Sequence, residues 1–169
     1  MNRTTLTIIL TLILSLSTLG QSSIKVGSPA PEFSGKLLDG TPLDLNQLKG
    51  KVVVMAFWST RCAICHHERP KMNQVSDRYD AGKVAFIALS MENEEKITGY
   101  LKSNPFKFQV VPDSFATVLK YADRDRNGNL DMGFPSYFVV DQNGTIRYRS
   151  SGYDKTKALN DAIDRLITK

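Results

Sequence analysis

Cysteine is nearly absent from this chain. Its 169 residues carry two, Cys62 and Cys65, both in one Cys-x-x-Cys. That excludes a framework of structural disulfides. A bridge across so small a loop would also constrain the unfolded chain little. Tryptophan occurs once, at Trp58, and histidine twice, at His66 and His67. No dense Lys/Arg block is present, so the net charge of +5 is a mixed solvated surface and gives no nucleic-acid face. No internal repeat or low-complexity segment occurs. No apolar run reaches the ~20 residues that a membrane-spanning helix needs.

What is present suits one soluble domain with its own core: 41% hydrophobic and 23% charged residues over an ordinary domain length. The N-terminus reads differently from the rest. Arg3 precedes an apolar run, Leu6 to Leu19, and Thr18-Leu19-Gly20 supplies the small residues of a cleavage site. Residues 1–20 therefore read as a signal peptide, with Gln21 as the mature start and residues 21–169 as the folded domain. No cysteine follows the run, so no lipid anchor is expected there. The protein is expected to be exported, to the periplasm or cell envelope. In those oxidising surroundings, a two-cysteine chain with both in one motif reads as a working redox pair.

The chain is organised around Val52-Val-Val-Met-Ala-Phe-Trp58-Ser-Thr-Arg61-Cys62-Ala-Ile-Cys65-His66-His67-Glu68-Arg69-Pro70. Its β-branched, apolar opening suits a buried parallel strand. A helix is expected from about Cys62 to Tyr79, kinked at Pro70. Cys62 then sits at a helix N-terminus, where unpaired N–H groups and the helix dipole favour a thiolate. The two-residue spacer lets the sulfurs meet across one turn.

Other elements follow in order. Pro29 and Pro31 force an extended lead-in. Leu37-Leu38 and Leu43-Asp-Leu45 read as a hairpin around Asp39-Gly40. Val84–Leu89 and Ser136–Val140 read as buried strands, Thr145–Ser150 as an antiparallel return after the Asn143-Gly144 turn, and 108–111 as a short strand. Helices are expected at 94–102, 115–121 and, amphipathically, 155–168. This alternation implies an α/β protein with a mixed central sheet flanked by helices.

Several motifs now converge. They are Gly27-x-x-Ala30-Pro31-x-Phe33, Lys49-Gly50-Lys51, Phe57-Trp58 ahead of the Cys-x-x-Cys, Glu68-x-Pro70, and Asp141-x-x-Gly144. In that order, from about Val26 to the C-terminus, they resemble the thioredoxin superfamily, and within it the exported TlpA/ResA-like thiol–disulfide oxidoreductases. The resemblance implies a thioredoxin-like three-layer fold with an N-terminal hairpin extension. It implies Cys62 as the exposed attacking cysteine and Cys65 as the resolving one. It makes Pro135 a cis-proline facing the pair, with Phe134 offering backbone groups to a substrate strand. Trp58 and Arg61 would also meet substrate, and Glu68 would handle protons. No cofactor beyond the redox-active disulfide is implied. The partners would be protein thiols or disulfides and a membrane electron donor, and the chain would be a monomer. Two departures stand out: Ala56 where thioredoxins carry a buried aspartate, and Arg61 directly before Cys62, where a cation favours the thiolate.

Three other readings compete. Cys62-x-x-Cys65-His66 spells a c-type haem attachment motif, with Met132 as a second ligand; the strand before it and the α/β order speak against that. A thiolate metal carrier would add His66 or His67 to the sulfurs. A peroxiredoxin would need Pro and Thr where Met55 and Ser59 stand. Independently, Asp123, Asp125, Asn127, Asn129 and Asp131, with Gly128 and Leu130, match the spacing of a calcium loop, but position 12 is Phe134 rather than glutamate. The plain alternative is an Asx-rich turn.

Overall fold

The computed structural model describes residues 24–168, so the expected signal peptide lies outside the described residues. The order is β1 (Ser34–Lys36), β2 (Pro42–Asp44), a 3-10 turn (Leu45–Leu48), β3 (Val52–Phe57), α1 (Ala63–Ser76), β4 (Val84–Leu89) and α2 (Glu94–Leu101). Then come β5 (Gln109–Val111), α3 (Phe115–Tyr121), β6 (Asp123–Arg124), β7 (Leu130–Asp131), β8 (Ser136–Val140), β9 (Ile146–Ser151) and α4 (Thr156–Ile167).

The central sheet runs β5-β4-β3-β8-β9. β3 pairs parallel with β4 and antiparallel with β8, so the sheet is mixed. Every residue of β3, β4 and β8 is buried, which is why these strands are continuous apolar runs. Side chains alternate between the two faces. Val52, Val54, Ala56 and Trp58 pack with Met72 of α1, Ile97 of α2 and Leu159 and Ile163 of α4. Val53, Met55 and Phe57 face Phe33, Leu45, Val118 and Tyr121 on the other side. Helices and the N-terminal segment thus cover both faces, giving three layers.

Register decides where the site forms. β3 and β4 end together, Phe57 opposite Leu89, and β8 begins with Ser136 opposite Phe57. The segments after β3, after β4 and before β8 therefore emerge at one sheet edge. Carboxyl ends of parallel strands are where open α/β sheets build their sites.

Two expectations change, and the 123–131 segment takes a defined local structure. The N-terminal hairpin pairs Ser34–Lys36 with Pro42–Asp44: Leu43 lies in it, opposite Gly35, while Leu37, Leu38 and Leu45 fall outside the two strands. Asp39 accepts the Thr41 N–H and closes the turn, Gly40 supplies a φ of +81°, and Asp44 caps the 3-10 turn, which ends the strand before Leu45. α1 begins at Ala63 with Cys62 as its N-cap, and it continues through Pro70 to Ser76. The spacing that suggested a calcium loop belongs to the β6–β7 hairpin. There Asp123 pairs with Arg149, while Asp125 accepts N–H groups of Asn127 and Asn129 and the Asn129 amide. Asn127 and Asn129 thus serve Asp125, and Asp131 lies opposite Asp123 in the hairpin register. Among the described residues no group of three or more acidic, histidine or cysteine side chains could hold a metal ion.

Candidate active site

β3 delivers the chain to Trp58, and the turn Ser59–Cys62 carries it into α1. Cys62 keeps an extended backbone, and its Sγ accepts the Cys65 N–H at 3.1 Å. This is one of the donors that a helix N-terminus leaves unpaired, and it favours negative charge on that sulfur. Cys62 and Cys65 are joined as a disulfide with Cα atoms 5.2 Å apart. Cys62 is half-buried, whereas Cys65 is 6% exposed on the packed face of α1. The pair is thus asymmetric: one sulfur is within reach of a partner and the other is screened.

The loop before β8 faces the pair. The Phe134–Pro135 peptide bond is cis, Pro135 is buried, and the Phe134 carbonyl oxygen lies 3.5 Å from Cys62 Sγ. The structure therefore brings Cys62, Cys65, Phe134 and Pro135 together. Trp58 is close by but not on the surface. It is 3% exposed and packs against Tyr100 and edge-on against Phe106. It forms a floor for the site beside Cys62.

Glu68 lies with Cys65 on the buried face of α1 and is 0% exposed. One carboxylate oxygen accepts from Lys71 Nζ at 2.9 Å, the other from the Asp154 N–H at 3.0 Å. A buried charge persists only with such partners. Burial first, and the Glu68 charge second, raise the pKa of Tyr137 beneath it, so that phenol stays protonated. His66 Nδ1 meets the Tyr100 hydroxyl at 2.9 Å, and His67 Nε2 meets that of Tyr153 at 3.0 Å. Each histidine thus ties one flank of α1 to a neighbour. The joined sulfurs and this His66 contact do not fit haem attachment, and Met132 packs on the opposite sheet face from α1.

One residue of the site was not foreseen from the sequence. Glu92, after β4, is 9% exposed, and its carboxylate holds the turn before Cys62. It accepts from the Thr60 N–H at 2.6 Å, from Thr60 Oγ1 at 2.8 Å and from Lys96 Nζ at 2.7 Å. Burial alone would raise its pKa; the hydrogen bonds from Lys96 and Thr60 outweigh that and hold it at about 2. The available signal was positional. β4 is parallel to β3, so residues just past its end meet those just past the end of β3.

A pH dependence follows. The folded carboxyl sits below its ordinary value of 4.5, so its contribution is complete above that pH and is lost as pH falls toward 2. It amounts to at most about 3 kcal/mol. Urea unfolding of wild type and Glu92→Gln should differ at pH 7, and the gap should close by pH 2. A gap equally wide at both pH values would mean that the ionised carboxylate does not hold the turn.

Comparison with known proteins agrees with this geometry. A profile described as Redoxin matches residues 25–166. The chain belongs to the Redoxin family. Relatives of this Redoxin chain include a thiol–disulfide oxidoreductase ResA of Bacillus cereus. It is 28% identical over 148 residues, covering 86% of this chain and 81% of that protein. The thioredoxin-like protein YneN of Bacillus subtilis is 29% identical over 141 residues, covering 83% and 80%. Among solved structures, a putative thiol:disulfide interchange protein DsbE from Chlorobium tepidum superposes with a TM-score of 0.75 at 25% identity, covering 86% of this chain and 99% of that one. The fold is thioredoxin-like, and this Redoxin member is a thiol–disulfide oxidoreductase with a Cys-x-x-Cys pair.

Proposed function

We propose that this oxidoreductase is an exported protein-disulfide reductase, with apocytochrome c or other exported proteins as substrates. The observation that carries the mechanism is the asymmetric pair: a half-exposed Cys62 against the Phe134 carbonyl, with Cys65 screened behind it. In the reduced state the Cys62 thiolate attacks one sulfur of a substrate disulfide. A Cys62–substrate S–S bond forms, the substrate bond breaks, and one substrate thiolate leaves. Cys65, deprotonated, then attacks the Cys62 sulfur. That closes the Cys62–Cys65 bond and expels the second substrate thiolate. Two electrons pass to the substrate, whose two thiolates take up two protons.

In this reading Glu68 exchanges the Cys65 proton, Pro135 shapes the docking loop, and the Phe134 backbone pairs with the substrate strand. Arg61 and the helix N-terminus favour the Cys62 thiolate. A membrane dithiol donor restores the reduced pair, and the chain works as a monomer. The reducing direction and the export follow the resemblance and the leader-like residues 1–20.

Direction is tested by comparing two assays. The protein should speed insulin reduction by dithiothreitol at least about tenfold over the uncatalysed rate. It should leave the oxidative reactivation of reduced ribonuclease A unaccelerated. The opposite pattern would make it an oxidase. Export is tested separately, by N-terminal sequencing of envelope material, which should begin at Gln21.

A further inference from the structure

Arg61 stands directly before Cys62, and 81% of its side chain is exposed. Beside it, between the ends of β3 and β4 and the cis-peptide loop, lies a cavity of about 400 Å³. Trp58, Arg61, Cys62, Met91, Glu92 and Phe134 line it. The cavity touches Cys62, so a side chain next to the cysteine under attack falls into it. Its floor is the buried Trp58 ring, and Met91, 42% exposed, stands at its rim. These walls suit an apolar side chain.

The charges are unequal. Glu92 already takes the Lys96 ammonium and both Thr60 donors. Arg61 Nε remains 3.8 Å from that carboxylate, too far for a hydrogen bond. The two exposed acids of the first turn of α2, Glu94 and Glu95, do not line the cavity. The charge left available at the cavity is therefore the guanidinium, whose fork of donors matches a carboxylate in two parallel bonds.

We propose that Arg61 and this cavity select the substrate: Cys62 prefers a disulfide whose attacked cysteine is flanked by an apolar side chain and a carboxylate. The substrate class is thus an acidic, apolar protein segment. This rests on the oxidoreductase reading above. The apolar neighbour fills the space over Trp58 beside Met91, the acid pairs with Arg61, and the segment's backbone lies along Phe134.

The test uses three disulfide-linked peptides, identical except for Glu, Gln or Lys beside a Leu-Cys pair. Each oxidises the reduced full-length protein in a single turnover: the peptide gains two electrons, and the protein closes Cys62–Cys65. At low salt the Glu peptide should react about tenfold faster than the Lys peptide. Near 1 M salt, where screening acts over about 3 Å, the ratio should fall toward one. Arg61→Gln should flatten the preference and Arg61→Glu should invert it. Equal rates for the Glu and Lys peptides in wild type, or the same preference in Arg61→Glu, would overturn the proposal. If no peptide oxidises the reduced protein, the oxidoreductase reading fails instead. The salt dependence of wild type needs no variant, so a poorly folded mutant does not rescue the proposal.

Discussion

Cys65→Ser should lower insulin turnover about a hundredfold or more and leave the protein covalently bound to its substrate through Cys62. The first attack needs only the Cys62 thiolate, with the Cys65 N–H beside it, and the substitution keeps that backbone donor. The second attack is intramolecular. Its advantage over an external thiol is the effective concentration of a group one helical turn away, with Cα atoms 5.2 Å apart. Serine cannot complete it, so the mixed disulfide waits for solution thiol. Non-reducing electrophoresis should show adducts that vanish with dithiothreitol. Cys62→Ser should lose both turnover and adducts. A Cys65→Ser protein that turns over insulin at the wild-type rate would exclude the assigned roles.

The second large effect lies behind the site. Phe57→Ala should destabilise both redox forms by about 3–5 kcal/mol, a fall of roughly 10 °C in melting temperature. Phe57 is fully buried at the last position of β3, and its ring meets Tyr121 at 5.2 Å and Phe138 at 5.7 Å. Tyr121 in turn donates its hydroxyl to the Pro31 carbonyl, and burial raises its pKa. Removing the ring opens a cavity among α3, β8 and the N-terminal lead-in, all rigid neighbours. Calorimetry of the oxidised protein measures the effect. A loss below 1 kcal/mol would mean that the neighbours collapse into the space and that this face does not hold the end of β3 in place.

How much of this was legible in the sequence depends on distance along the chain. The strand–cysteines–helix stretch was readable because each part is local: apolar β-branched residues, then a capping cysteine, then a helix. The buried strands declared themselves as unbroken apolar runs. Glu92 did not, because its partner Thr60 is 32 positions away and only the parallel register of β3 with β4 joins them. The Asp154 N–H, which holds Glu68 from 86 positions away, was hidden for the same reason. The aromatic side chains of Tyr100 and Phe106 that enclose Trp58 were likewise not legible, because they come from beyond β4, far along the chain. At 123–131 the pattern of oxygen side chains was real, but a tight turn and a cation loop use the same residue types. Asp125 spends its oxygens on its own turn, and Asp123 turns to Arg149, a contact that no local pattern announces.

The central claim is that Cys62 and Cys65 form one reversible two-electron couple. Equilibrating the protein across glutathione buffers, quenching in acid, alkylating and weighing it tests this directly. The account predicts one transition with the slope of a two-electron couple, between a species with no alkylated cysteine and one with two. A pair that dithiothreitol cannot open, or an equilibrium state dominated by a single free thiol, would contradict it.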